Sequence, residues 1–276
     1  MTTEAIKDFF IINGKMEKVA DTNIFEKITK PLIYEVIRVI NGIPIFLEEH
    51  LERFEKSARL TGYSVSRTVE EIIEDIERLI SKNNIRNLNI KLLYTEIQGN
   101  ENIFLVYFIK SYYPEPVLYE EGIHTILYHY EREKPNVKKL NLNFKENVNN
   151  RLKETNAFEG LLVNREGCIT EGSRSNIFFV IRENVYTAPK DEVLLGITRS
   201  RVLEVCKKLD LKVLEENIFL EDLKIVDGAF MTGTSVNVLP ITTIEEKTLN
   251  SVNNNIIKKI SDEYIREIKN YILNKS

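Results

Sequence analysis

The stretch Lys138–Phe179, KKLNLNFKENVNNRLKETNAFEGLLVNREGCITEGSRSNIFF, constrains the chain most. From Phe144 to Asn156, Val148, Leu152 and Thr155 fall on one face at helical spacing. Phe158–Val163 and Cys168–Thr170 then read as a hairpin joined by Asn164-Arg165-Glu166-Gly167. Glu171 closes the second strand. Gly172-Ser173-Arg174-Ser175-Asn176 turns the chain into the apolar run from Ile177 to Ile181. A lysine and a glutamate therefore ride on separate rigid elements, able to face one another across a cleft. Taken singly, they read as a surface lysine and a turn acid, as most such residues are.

The rest of the chain supplies a frame of helices and strands. Phe9–Ile12 before Asn13-Gly14 reads as a strand entering a hairpin, and Asn41-Gly42 marks another turn. Leu47, Leu51, Phe54, Ala58 and Leu60 recur at helical spacing, and Val69–Ile80 forms a second amphipathic helix. Asn87–Gln98 and Ile103–Lys110 alternate around Gly99-Asn100-Glu101-Asn102. Pro114 and Pro116 break the sheet pattern, because proline cannot donate to a ladder. The reading is an α+β chain with a smaller N-terminal domain at 1–112, a linker at 113–120 and a larger β-rich domain at 121–276. Lys258–Leu273 ends it as an amphipathic helix.

The net charge of −4 offers no general attraction to nucleic acid or anionic membrane. The lysine-rich segment from Lys134 to Lys145 lacks the interleaved aromatics of a stacking platform. The three histidines share no ligand spacing, so no metal site is expected; His50, His124 and His129 read as structural hydrogen-bonding residues. Two cysteines, no signal peptide and no long apolar run fit a cytoplasmic protein.

With these motifs in place, the sequence resembles the class IV (fold-type IV) pyridoxal-phosphate aminotransferases. These are the branched-chain and D-amino-acid aminotransferases and the aminodeoxychorismate lyases. Lys138-Lys139-Leu140-Asn141 matches the family's K-x-x-N, and Glu171-Gly172-Ser173-Arg174-Ser175-Asn176 matches E-G-x-x-x-N. The resemblance implies a two-domain fold-type IV enzyme like D-amino-acid aminotransferase. It makes Lys138 the Schiff-base lysine and general base, and Glu171 the acid under the pyridine ring, with Ser175 and Asn176 also cofactor-binding. A free lysine near pKa ~10.4 must fall to about 7–8 for that work, so Lys138 is expected in a desolvated or cationic site.

Further matches extend from Tyr34 to Ile241. His50-Leu51-Glu52-Arg53 resembles H-x-x-R and assigns Arg53 to the cofactor phosphate, a role its planar fork suits. Gly196-Ile197-Thr198-Arg199 resembles G-I-T-R and gives Ile197 and Thr198 to the same phosphate at a helix start, with Thr198 as the cap. Gly233-Thr234-Ser235 before Val238-Leu239-Pro240-Ile241 assigns Thr234 to phosphate, and Ser235 to phosphate or substrate. Tyr34 is assigned to substrate.

Specificity cues conflict. Tyr34-Glu35-Val36 looks like the D-enzymes, yet Tyr94–Asn102 lacks their arginine–histidine element. Asn143 stands where branched-chain enzymes place a tyrosine. The family implies a homodimer that moves an amino group between a small amino acid, of the branched-chain or aliphatic L series, and a 2-oxo acid such as 2-oxoglutarate. A D-amino-acid transaminase, an aminodeoxychorismate lyase and a non-catalytic pyridoxal-phosphate-binding protein are the alternatives.

Overall fold

A computed structural model of the chain describes residues 4–99, 101–133, 135–139 and 141–275. Leu140 of the lysine motif, Asn100 of the loop after Gly99, and Lys134 lie outside the described residues. The chain divides into two compact units. The first comprises Met1–Tyr112, Val137–Leu140 and Asn270–Ser276; the second comprises Tyr113–Asn136 and Asn141–Lys269.

The first unit is a six-stranded antiparallel sheet with two helices. Its strands are β1 (Phe9–Ile12), β2 (Lys15–Lys18), β3 (Ile28–Ile40), β4 (Ile43–Pro44), β5 (Leu88–Ile97) and β6 (Glu101–Ile109), in the order β2-β1-β6-β5-β3-β4. The β1–β2 turn works because Asn13 and Gly14 both take positive φ, 47° and 82°, which a primed hairpin turn requires. Asn41 and Gly42 do the same between β3 and β4. Helix α1 (Leu47–Thr61) buries Leu47, Leu51, Phe54 and Ala58, while Leu60 is 51 % exposed and lies off the face. Helix α2 (Val69–Lys82) starts in a reciprocal capping box between Thr68 and Glu71 and buries Ile72, Ile76, Leu79 and Ile80. These apolar faces share one core with Ile33, Ile37 and Val39 of β3 and Val137.

The second unit carries α3 (Pro116–Glu121), β7 (Ile123–His129), α4 (Leu142–Thr155), β8 (Glu159–Val163), β9 (Cys168–Gly172), β10 (Asn176–Ile181), β11 (Asn184–Thr187), α5 (Ile197–Lys208), β12 (Val213–Glu215), β13 (Ile218–Phe219), β14 (Gly228–Gly233), β15 (Asn237–Ile244), β16 (Lys247–Thr248) and most of α6 (Asn255–Lys275). The strands form one mixed sheet in the order β12-β11-β10-β14-β15-β7-β8-β9-β13, with β16 on β15. Its core is built on Leu161, Ile177, Phe179, Met231, Leu239 and Ile241.

Two details differ from the sequence reading. Pro116–Glu121, overlapping the expected linker, is a short helix of the second unit, with proline at a first-turn position where its missing N–H costs nothing. The segment that carries Lys138 groups with the first unit, because Val137 is buried in that unit's core and the Lys138 carbonyl accepts the Tyr34 N–H at 3.2 Å. Among the described residues no helix is long and apolar enough to cross a membrane.

Candidate active site

In the first unit, β3 alternates strictly after Leu32: Ile33, Glu35, Ile37 and Val39 point into the core, and Tyr34, Val36 and Arg38 are half-buried. That phase places a carboxylate in an apolar row. Glu35 is fully buried and is met from α1 by His50 and Arg53, which sit one turn apart on the inner face of the helix. Arg53 donates through Nε at 2.8 Å and Nη2 at 2.5 Å, a two-pronged pair, and His50 Nδ1 lies 3.1 Å from Oε1. Burial alone would push the Glu35 carboxyl up. Arg53, His50 and the charge of Lys138 together outweigh it and hold the carboxyl well below the usual range. Burial pushes His50 down, with Glu35 opposing, so the ring is neutral and its Nδ1–H donates to Glu35. The structural role expected of His50 is thus served by Glu35.

On the half-buried side of β3 the Lys138 ammonium lies 4.9 Å from the centre of the Tyr34 ring. Tyr34 is shared with Lys91, which is buried, lies 5.4 Å from the same ring and is paired with Glu4. Tyr34 and Lys138 therefore come together in one unit. Arg53 is in this unit too, with Nε and one terminal nitrogen bonded to Glu35, so the fork that the motif assigns to the phosphate is partly used inside the protein.

In the second unit the other seven candidates gather at one end of the sheet. Glu171, at the end of β9, is 2 % exposed. Its Oε2 accepts the Leu194 N–H at 3.1 Å and lies 3.5 Å from Asn176 Nδ2. Asn176 also donates to the Leu194 carbonyl at 2.8 Å. Its amide oxygen packs so closely on Gly196 that a Cβ there would approach it to 2.2 Å. Asn176 thereby ties the acid to the start of α5. Gly196, not Thr198, is the N-cap of that helix, with extended φ −64° and ψ 138°, and Ile197 and Thr198 are its first two helical residues. Their backbone N–H groups belong to the first turn, which has no intrahelical acceptor. β10 pairs with β14 as Asn176 opposite Thr232, which sets the turn Thr234-Ser235-Val236 beside Asn176. Tyr119 of α3 pins that turn by donating to the Val236 carbonyl at 3.0 Å.

Ser175, which the motif assigns to the cofactor, is also engaged inside the protein. Its hydroxyl donates to Glu159 Oε2 at 2.9 Å, and Ser173 donates both its N–H (3.1 Å) and its hydroxyl (2.5 Å) to Glu159 Oε1, which also takes the Gly160 N–H at 2.8 Å. The Glu171–Asn176 turn is thus wrapped on a fully buried carboxylate that sequence reasoning missed. The available signal is an acid inside the otherwise apolar run of β8. Hydrogen bonds to a charged acceptor contribute about 1.5–3 kcal/mol each, so Glu159→Gln is expected to cost about 2–4 kcal/mol in total. A shifted urea midpoint measures it, and an unshifted one would remove Glu159 as the template of the turn.

The functional residues thus sort into a lysine–tyrosine pair with a buried Glu–Arg–His cluster in one unit, and a buried acid, a helix N-terminus and a hydroxyl-bearing turn in the other. The family model for class IV amino-transferases matches residues 32–244, a span that holds all of them. The chain belongs to the class IV aminotransferases. By family it is a transaminase. It is 30 % identical over 230 residues to a D-alanine aminotransferase of Bacillus licheniformis, covering 79 % of this chain and 81 % of that one. It is 31 % identical over 250 residues to a probable branched-chain-amino-acid aminotransferase of Rickettsia felis, with 86 % of both chains covered. Its fold matches the branched-chain amino acid aminotransferase of Thermobaculum terrenum, solved in its PLP (holo) form, at TM-score 0.84 and 20 % identity over 98 % of this chain and 96 % of that one.

Proposed function

We propose that this class IV aminotransferase uses pyridoxal 5′-phosphate to move an amino group from a branched-chain or other aliphatic L-amino acid to a 2-oxo acid such as 2-oxoglutarate, as a cytoplasmic homodimer. The observation that carries the reading is the family match across 32–244, which contains Lys138 and Glu171 in motif order, with Glu171 buried as an acceptor. The residues of the second unit fit the cofactor chemically: an acid for a ring nitrogen, and at the same end of the sheet first-turn N–H groups and the Thr234 and Ser235 hydroxyls suited to a phosphate. When bound, the cofactor supplies an aldehyde carbon for the amino group and a protonated ring that accepts carbanion charge.

The chain's own residues do the rest. Lys138 would hold the cofactor through its amine and would take and return the proton at the substrate Cα. Glu171 keeps the ring nitrogen protonated, and Asn176 holds Glu171 to the α5 start. Ile197, Thr198, Thr234 and Ser235 bind the phosphate. The H-x-x-R resemblance assigns Arg53 to the same phosphate. Tyr34 and Ser235 face the substrate.

A D-amino-acid transaminase is the second reading, favoured by Tyr34-Glu35-Val36 and by the similarity to the Bacillus licheniformis enzyme. The two are separated by following the absorption of the protein–cofactor complex under L-leucine and, separately, D-alanine. Conversion to the pyridoxamine spectrum by L-leucine alone is the expected result. Conversion by D-alanine alone would replace it with the second reading, and no conversion by either would direct the assay to 4-aminobenzoate release.

A further inference from the structure

Glu171 has a cationic neighbour that no motif announces. Arg132 follows β7, and its Nε lies 2.9 Å from Glu171 Oε1, on the carboxylate oxygen opposite the one that Leu194 holds. The guanidinium is anchored to the same turn, because its Nη2 donates to the Ser173 carbonyl at 3.1 Å. It also lies 5.9 Å from the Phe144 ring centre and is only 22 % exposed. Yet Nε makes no aligned hydrogen bond, so the contact with Glu171 is one of charge and not the two-pronged fork that Arg53 makes with Glu35.

We infer that Arg132 competes with the protonated ring nitrogen of the cofactor for the charge of Glu171, and so sets how firmly the ring end is gripped. The inference rests on the proposed role of Glu171. A carboxylate beside a fixed guanidinium attracts a second cation less, and the two cations repel each other across a poorly solvated gap. Arg132 is therefore a positioning and tuning residue that acts through Glu171. It also supports the turn through Ser173, and the test must separate the two effects.

The full-length chain stripped of cofactor is titrated with pyridoxal phosphate and with its 1-deaza analogue, which has C–H in place of the ring nitrogen and cannot carry the proton. Loss of turn support weakens both ligands alike and cancels in the ratio of their dissociation constants. Competition for charge affects only the ligand with a nitrogen. Arg132→Met and Arg132→Gln are each expected to shift the ratio about tenfold in favour of pyridoxal phosphate, the lower end of what one adjacent charge does to a titrating partner. In a Glu171→Gln background, where no carboxylate charge is left to share, the same substitutions are expected to leave the ratio within about twofold. An unchanged ratio in both single variants, with pyridoxal phosphate bound by the wild type, would overturn the inference and leave the proposed function standing. Failure of the wild type to bind pyridoxal phosphate at all would overturn both.

Discussion

Lys138→Ala is expected to lower transaminase turnover by about a thousandfold or more, because one side chain is assigned both the covalent attachment and the proton transfer. The fold should survive the change. Lys138 is half-buried, its carbonyl bond to Tyr34 is made by the backbone, and its side chain places a cation over an aromatic face at 4.9 Å. Such an interaction contributes roughly 0.5–2 kcal/mol. The variant should therefore melt close to the wild type and still bind cofactor through Glu171 and the residues of the α5 and Thr234 turns. Measured turnover within tenfold of wild type would remove Lys138 from the chemistry. Lys139, its exposed neighbour, is the internal control, and Lys139→Ala should leave turnover unchanged within a factor of about two, as surface substitutions usually do.

Glu35→Gln is expected to have the largest effect on stability. It removes the carboxylate charge paired with the buried Arg53 guanidinium, and breaking one side of such a pair costs about 3–5 kcal/mol. For a chain of this size the corresponding fall in melting temperature is on the order of 10 °C. Replacing both partners, Glu35→Met with Arg53→Met, should cost much less than the two single changes together, since no unpaired charge is then left in the core. Additive costs would show that the pair is not coupled.

The pH dependence follows with a definite sign. The folded value of Glu35 is depressed, so its contribution is present above the ordinary carboxylate value and is lost only in strong acid, below about 4.3. His50 is also depressed, by burial first, so its neutral form contributes fully above about 6.5 and the contribution declines as pH falls below that. Denaturation midpoints measured from pH 8 to 5 should therefore fall on the acid side in the wild type. His50→Asn should flatten that limb, and an identical slope in the variant would contradict the assignment.

The functional residues are legible in the sequence to different degrees, for physical reasons. Asn13-Gly14 and Asn41-Gly42 announce their hairpins because few residue pairs tolerate two positive φ values in succession. The turn after Glu171 is readable because glycine, serine and asparagine have few other uses between two apolar runs. Glu35 and Glu159 escape a sequence reading because an acid within an apolar stretch looks the same whether it faces solvent or core. Only the phase of β3, and the partners brought from α1 or from the following turn, show that they are buried. The motif names Ser175 but not the direction of its hydroxyl, which donates to Glu159. Thr198 looks like a cap because threonine caps well, whereas Gly196 takes that position where Asn176 packs too closely for a side chain. Arg132 carries no local signal at all, since its partner Glu171 lies well along the chain.

The central claim is that Lys138 is the residue that carries the cofactor. Its most direct test is borohydride reduction of the protein with pyridoxal phosphate, followed by digestion and mass spectrometry of the modified peptide. A single phosphopyridoxyl group, on Lys138, is the expected result. A group found on Lys139, on Lys91 or on another lysine, with Lys138 unmodified, would contradict it.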